Sequence, residues 1–243
     1  MQHSFDGKIA LVTGASRGLG HAVALALARQ GCHIIATART QGGLEELDDE
    51  IKALGSTATL VPMDITDYAG IDRLGAAIFE RWKKLDVLVG NAGVLGKLTP
   101  VPHLDQKVWD EVMAVNVTAN YRLLRSMDPL LRLSAAGRAV FVTSGVAHST
   151  PAYWGAYSVS KAALNALVTT YAAETATTPV RANLFSPGPT RTKMRAQAMP
   201  GEDPMTLPTA DEVAAKLVDM CAIEFAETGS VFRYSAGGLL KLS

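Results

Sequence analysis

The chain of 243 residues has few cysteines (two), few aromatic side chains (6%) and no excess of either charge, since 23 Lys and Arg residues stand against 23 Asp and Glu residues. Each shortage excludes something. Cys32 and Cys221 lie far apart and match no metal-ligand spacing, so they read as small buried apolar side chains, and no metal site is expected. A formal charge of zero with no block of Lys or Arg lacks the electrostatic footprint of a phosphate-backbone binder, which argues against nucleic acid as a partner. The longest uncharged window, 139–160, is broken by Pro151 and by many Ser, Thr and Gly residues, so it does not read as a membrane span. Met1 to Lys8 holds no basic stretch leading into an apolar one. Together these absences predict a soluble, cytoplasmic protein with no membrane partner.

What is present is an apolar fraction of 48% on a length that suits one domain, 1–243, with no linker or internal repeat to divide it. Short β-branched runs alternate with longer helical patterns, the mark of β-α-β units around a parallel sheet in an α/β fold. The predicted strands are Lys8–Thr13, His33–Ala38, Thr57–Pro62, Asp86–Gly90, Ala139–Thr143, Arg181–Phe185 and Ser230–Arg233. Two long helices are predicted, from Asp105 to about Leu133, ending or kinking at Pro129, and from Tyr157 to about Thr177. The segment from Arg191 to Pro208 holds four prolines and glycines and reads as a loop, a candidate lid.

Directly after the first strand comes Thr13-Gly14-Ala15-Ser16-Arg17-Gly18-Leu19-Gly20, opening a helix. Glycines there let backbone N–H groups approach a pyrophosphate, and the helix N-terminus favours the anion, so a dinucleotide is the expected ligand. A carboxylate at the end of the second strand would bind the two ribose hydroxyls of NAD. This chain has Arg39 there instead, with Glu45 the nearest acid, so Arg39, seconded by Arg17, suits a 2′-phosphate and NADP(H) is expected over NAD(H).

Tyr157 and Lys161 stand four apart on one helix face, thirteen residues after Ser144, and Asn116 lies in the preceding long helix. With Asp64-Ile65, Asn91-Ala92-Gly93 and Pro187-Gly188-Pro189-Thr190, this order of motifs resembles the short-chain dehydrogenase/reductase family over essentially the whole chain. The resemblance implies a three-layer, doubly wound Rossmann-type fold with a sheet of seven parallel strands and the cofactor across their carboxyl ends. It implies an oxidoreductase working between nicotinamide and a carbonyl or secondary alcohol. Tyr157 would be the proton donor or acceptor, its phenol depressed by Lys161 and by the oxidised nicotinamide. Lys161 would also hold the nicotinamide ribose, and Ser144 the substrate oxygen. Asn116 would bend its helix and hold a water leading from Lys161 to solvent. Asp64 and Ile65 would meet adenine, Asn91 to Gly93 the adenosine ribose side, and Pro187, Gly188 and Thr190 the nicotinamide carboxamide or pyrophosphate. One departure is Gly90, where the family often carries a further Asn, and a small packing change is expected.

The substrate side is less defined. His148, Tyr153 and Trp154 precede the tyrosine and could wall an apolar site or a subunit interface, and Met194, Met199 and Met205 could adapt to apolar ligands. Arg191, Lys193 and Arg195 would suit an acidic carrier protein, which keeps a 3-ketoacyl-thioester reductase as an alternative, beside a non-catalytic NADP(H) sensor. The resemblance also implies a homodimer or homotetramer built through the two long helices.

Overall fold

Strand formation follows the β-branched runs. The computed structural model describes residues 5–235 and 237–242. In it β1 (Ile9–Thr13), β2 (His33–Ala38), β3 (Ala58–Pro62), β4 (Val87–Gly90), β5 (Arg138–Val142), β6 (Arg181–Ser186) and β7 (Val231–Ser235) each lie within two residues of the predicted limits. They order 3-2-1-4-5-6-7, all parallel, and the order reverses between β1 and β4. The expected seven strands fall one short: β8 (Gly238–Leu242) folds back antiparallel on β7. Its sequence, Gly-Leu-Leu-Lys-Leu, has no β-branched residue, so tertiary pairing rather than propensity makes it a strand.

The connections hold α1 (Gly18–Ala28), α2 (Gln41–Ala53), α3 (Tyr68–Trp82), α4 (Gln106–Met113), α5 (Ala119–Arg132), α6 (Val146–Ser149), α7 (Gly155–Glu174), α8 (Lys193–Ala198) and α9 (Ala210–Asp219). Period-two alternation sends Ala10 and Val12 of β1 to one sheet face, where α1, α2 and α9 pack with Leu27, Leu47 and Leu217. Ile9 and Leu11 go to the other, against Ile78 of α3, Leu123 of α5 and Leu164 of α7. Both faces are thus covered, which is why the strands read as nearly unbroken apolar runs. None of the helices is long and apolar enough to cross a membrane, among the described residues.

The long helix from Asp105 is three pieces: α4, a π-helical turn at Ala114–Thr118, and α5. It does not stop at Pro129, because α5 runs on to Arg132. Proline there deprives only the carbonyl of exposed Arg125 of its helical donor, while Met127, Leu130 and Leu131 are buried on the sheet side and hold the turn in place.

At the opposite edge from the strand carboxyl ends, buried Asp86 ties the sheet together. Its carboxylate accepts from Ile9 N at 3.0 Å, from Ser134 Oγ at 2.6 Å and from Lys84 Nζ at 2.9 Å. Asp86→Ala strands these donors, and urea unfolding is expected to show a loss of about 3 kcal/mol, the lower end for breaking a buried charge pair because Lys84 is partly exposed. An unchanged midpoint would contradict that role.

Candidate active site

A cavity of about 960 Å³ opens at the carboxyl ends of the strands, near the top of the ~300–1,000 Å³ range usual for small-molecule sites. One end is the turn after β1. Gly14 takes a φ of +66°, and a Cβ there would meet Ala92 Cα at 3.0 Å, so only glycine lets this turn lie against the end of β4. Asn91 fixes the approach, donating from Nδ2 to Thr13 O at 2.9 Å. Gly14, Ser16, Arg17, Gly18 and Leu19 line the cavity, while Gly20 packs beneath the turn against Gly14 O. Arg17 forms the N-cap of α1 with no side-chain bond to the helix, and the first turn carries no acid. The leading N–H groups of α1 therefore have no internal anion, and such a helix end beside glycines suits a phosphate.

Arg39 and Thr40 continue the wall from the end of β2, and Asp64 and Ile65 from beyond β3. Thr66 N and Oγ1 donate to Asp64 at 2.8 and 2.7 Å, and with the Arg39 charge they hold its carboxyl below the usual range. Ala92 and Gly93 lead toward the other end. At Gly90 the Phe141 ring of β5 lies where a Cβ would point, 2.2 Å from it.

That other end is built on α7. Tyr157 and Lys161 face the cavity one turn apart, and both are buried. Lys161 Nζ donates to Val142 O at 2.8 Å and lies 5.6 Å from the Tyr157 ring centroid. Burial pushes the Tyr157 phenol up to about 12, against the pull of a hydrogen bond with Ser144, and pushes Lys161 down to about 8. For Tyr157 the upward push of desolvation outweighs the downward pull of the Ser144 hydrogen bond, while the Lys161 ammonium gives its hydrogen bond to the Val142 carbonyl. Ser144 follows β5 and lines the cavity.

Asn116 sits in the π-helical turn, a local distortion of the helix of the kind expected there. Fully buried, it accepts from Val94 N at 2.9 Å and donates to Val94 O and to Ser160 Oγ, at 2.9 and 3.0 Å. It thereby pins the segment after Gly93 against α7. Pro187, Gly188 and Thr190 close the wall after β6, with the Thr190 hydroxyl donating to the Pro187 and Gly188 carbonyls at 3.3 Å.

Of the three aromatic candidates only Trp154 lines the cavity, its ring 6.0 Å from that of Tyr157. Tyr153 is exposed, in a left-handed conformation at φ +75°, and exposed His148 bonds to Asn165 outside the cavity. The segment 191–208 is not a bare loop. It contains α8, capped by Thr192, and a 3-10 turn at Pro204–Thr206. Met194 of α8 brings its sulfur to 4.0 Å from the Tyr157 hydroxyl, while Met199 and Met205 are exposed. Arg191 is spent on the Pro204 and Leu207 carbonyls and Arg195 on Glu202, so Lys193 alone of the three candidate cations stays out in solvent. Val94, Leu95 and Val108, which sequence reasoning passed over, also line the cavity. The first two follow the Asn-Ala-Gly triplet directly. Among the described residues no three His, Cys, Asp or Glu side chains could together hold a metal ion.

Residues 8–203 match the family described as short chain dehydrogenase. The chain belongs to this family. As a short-chain dehydrogenase it is an oxidoreductase acting on the CH–OH group of donors, and it shares 35% identity with the oxidoreductase YciK of Escherichia coli K12 over 87% of this chain and 85% of that protein. A short chain dehydrogenase of E. coli CFT073, solved with NADPH, superposes at a TM-score of 0.92 with 34% identity, covering 96% of this chain and 98% of that one. One from Shigella flexneri, solved with NADP, gives 0.92 at 33% identity, covering 96% and 99%. The uncapped start of α1, the two arginines and the buried Tyr157–Lys161 pair fit the nicotinamide dinucleotide that members of this family bind.

Proposed function

We propose that this short-chain dehydrogenase is an NADP(H)-dependent reductase of carbonyl substrates, reversible toward secondary alcohols, with 1–243 forming one dinucleotide-binding domain. The observation that carries this reading is that one cavity joins a phosphate-suited helix start, flanked by Arg17 and Arg39, to buried Tyr157 and Lys161 and half-buried Ser144. The bound dinucleotide supplies the hydride. Tyr157 gives its phenolic proton to the substrate oxygen, and its burial keeps that proton in place well above neutral pH. Ser144 donates to the same oxygen and steadies the charge that develops there. Lys161 holds the nicotinamide ribose, and Asn116 sets the neighbouring wall through Val94.

The turn from Gly14 to Gly20 takes the pyrophosphate, Asp64 and Ile65 the adenine, Asn91 to Gly93 the adenosine ribose, and Pro187, Gly188 and Thr190 the carboxamide. Arg39 and Arg17 take the 2′-phosphate, a reading supported by relatives solved with NADP and NADPH. Tyr121 of α5 and Val159 of α7, exposed and apolar, support a homo-oligomer formed through these helices.

NADPH and NADH consumption across aldehydes, ketones, diketones, quinones and thioesters tests the reading. Turnover with NADPH preferred is expected, whereas a preference for NADH, or silence across the whole panel, would overturn it. Arg39→Ala is expected to raise the Kd for NADPH about tenfold, the scale of one charge-assisted hydrogen bond, and to leave NADH unchanged. Equal effects on both dinucleotides in a fluorescence titration would remove Arg39 from the 2′-phosphate site.

A further inference from the structure

Three side chains that the proposed reaction does not use form a chain from the interior to the surface beside Ser144. Thr143 donates from Oγ1 to Asn165 Oδ1 at 2.5 Å, and Asn165 Nδ2 donates to His148 Nε2 at 3.2 Å. The two outer members bracket Ser144 in sequence, while Asn165 stands on α7, one turn beyond Lys161 and two beyond Tyr157.

Both ends of the chain are firmly tied. Thr143 is buried, and its N–H donates to Phe185 O on the adjacent strand at 2.8 Å. On the other side Ala147 N donates to Ser144 O and His148 N to Gly145 O, each at 3.1 Å, so His148 belongs to the same tight turn as Ser144. Asn165 thus uses both ends of one buried amide to fasten the two flanks of the Ser144 turn to the helix that carries Tyr157 and Lys161. The imidazole meets the Asn165 amide through Nε2, which accepts from it.

We infer that Asn165 is a positioning residue, with His148 as its outer anchor, that sets the Ser144 hydroxyl against Tyr157. This rests on the reductase reading above for its effect on rate. Since a displacement of ~1 Å can cost ~10²-fold, Asn165→Leu is expected to lower kcat about ten- to hundredfold with NADPH affinity unchanged. On a Ser144→Ala background the same change is expected to cost less than about twofold, because nothing remains to be positioned. His148→Gln, which keeps an acceptor, is expected to stay within about twofold of the parent, and His148→Ala to lose about threefold.

Hydrogen exchange supplies a readout apart from turnover. The amides of Ala147, His148 and Ser149 are expected to exchange several-fold faster in Asn165→Leu, with those of α7 unchanged. Equal losses of kcat with and without Ser144, or unaltered exchange in this turn, would overturn the inference. Should Asn165→Leu fail to fold, His148→Ala and His148→Gln, at an exposed position, permit both comparisons. A wild-type protein without turnover would overturn the reductase reading, and the exchange comparison would still decide whether the brace exists.

Discussion

Replacing Tyr157 with phenylalanine is expected to cut carbonyl reduction by about 10²- to 10⁴-fold, the usual worth of a positioned proton donor, while NADPH binds as before. The substitution removes one oxygen, whose neighbours are Ser144 and the Met194 sulfur at 4.0 Å. The ring, its contact with Trp154 and the bond from Lys161 to Val142 O do not involve that oxygen, so the variant is expected to fold and to melt like its parent. With the phenol pushed up to about 12, the donor stays protonated through neutral and mildly alkaline pH, and Tyr157 itself imposes no fall in the reductive rate there. Steady-state rates with a saturating carbonyl check the loss. A Tyr157→Phe enzyme within tenfold of wild type would remove the residue from the reaction.

Lys161→Met is expected to abolish most turnover and, at the same time, to stabilise the fold. Burial holds the ammonium down to about 8 against an ordinary 10.5, so the unfolded chain binds more protons between those two pH values. The lysine's contribution to stability therefore rises with pH from about 8 to 10.5, and below 8 its burial as a cation costs the fold about 3 kcal/mol. Methionine removes that cost and leaves Val142 O without its donor, a loss of about 1 kcal/mol, for a net gain of about 2 kcal/mol at pH 7. The gain shrinks as the pH rises toward 10.5 and is lost above it, where the wild-type lysine is neutral in both states. Urea unfolding of both proteins at pH 7 and pH 10 measures this directly. A variant less stable at pH 7, or an advantage that grows with pH, would show that Lys161 is not held as a desolvated cation. The trade fits a site that keeps a costly charge for its chemistry.

Much of the site was legible because its chemistry is local in sequence. The turn from Thr13 to Gly20 sits between a β-branched run and a helix, and Tyr157 and Lys161 are one helical turn apart, which places them on one face, while their expected roles came from the resemblance to short-chain dehydrogenases. What was not legible depends on partners remote in sequence. His148 looked like a pocket residue because it precedes Tyr157, yet its ring turns to Asn165, which lies seventeen positions on. Arg191 and Arg195 looked like a basic rim, but Pro204, Leu207 and Glu202 satisfy them within their own segment. Pro129 signalled a helix end or kink, and the end is overridden because burial of its neighbours carries the helix on to Arg132. The strand β8 carried no β-branched signal, and pairing to β7 made it a strand.

In the proposed reaction a hydride passes from NADPH to a carbonyl carbon and Tyr157 supplies the proton. Its most direct test uses NADPH carrying deuterium at both hydrogens of the nicotinamide C4 with a carbonyl that the substrate panel shows to be consumed, followed by mass analysis of the alcohol. One deuterium on the carbinol carbon from the wild-type enzyme, and at least a hundredfold less labelled product per unit time from Tyr157→Phe, is the predicted result. Unlabelled alcohol, or labelled alcohol formed equally fast by the variant, would contradict it.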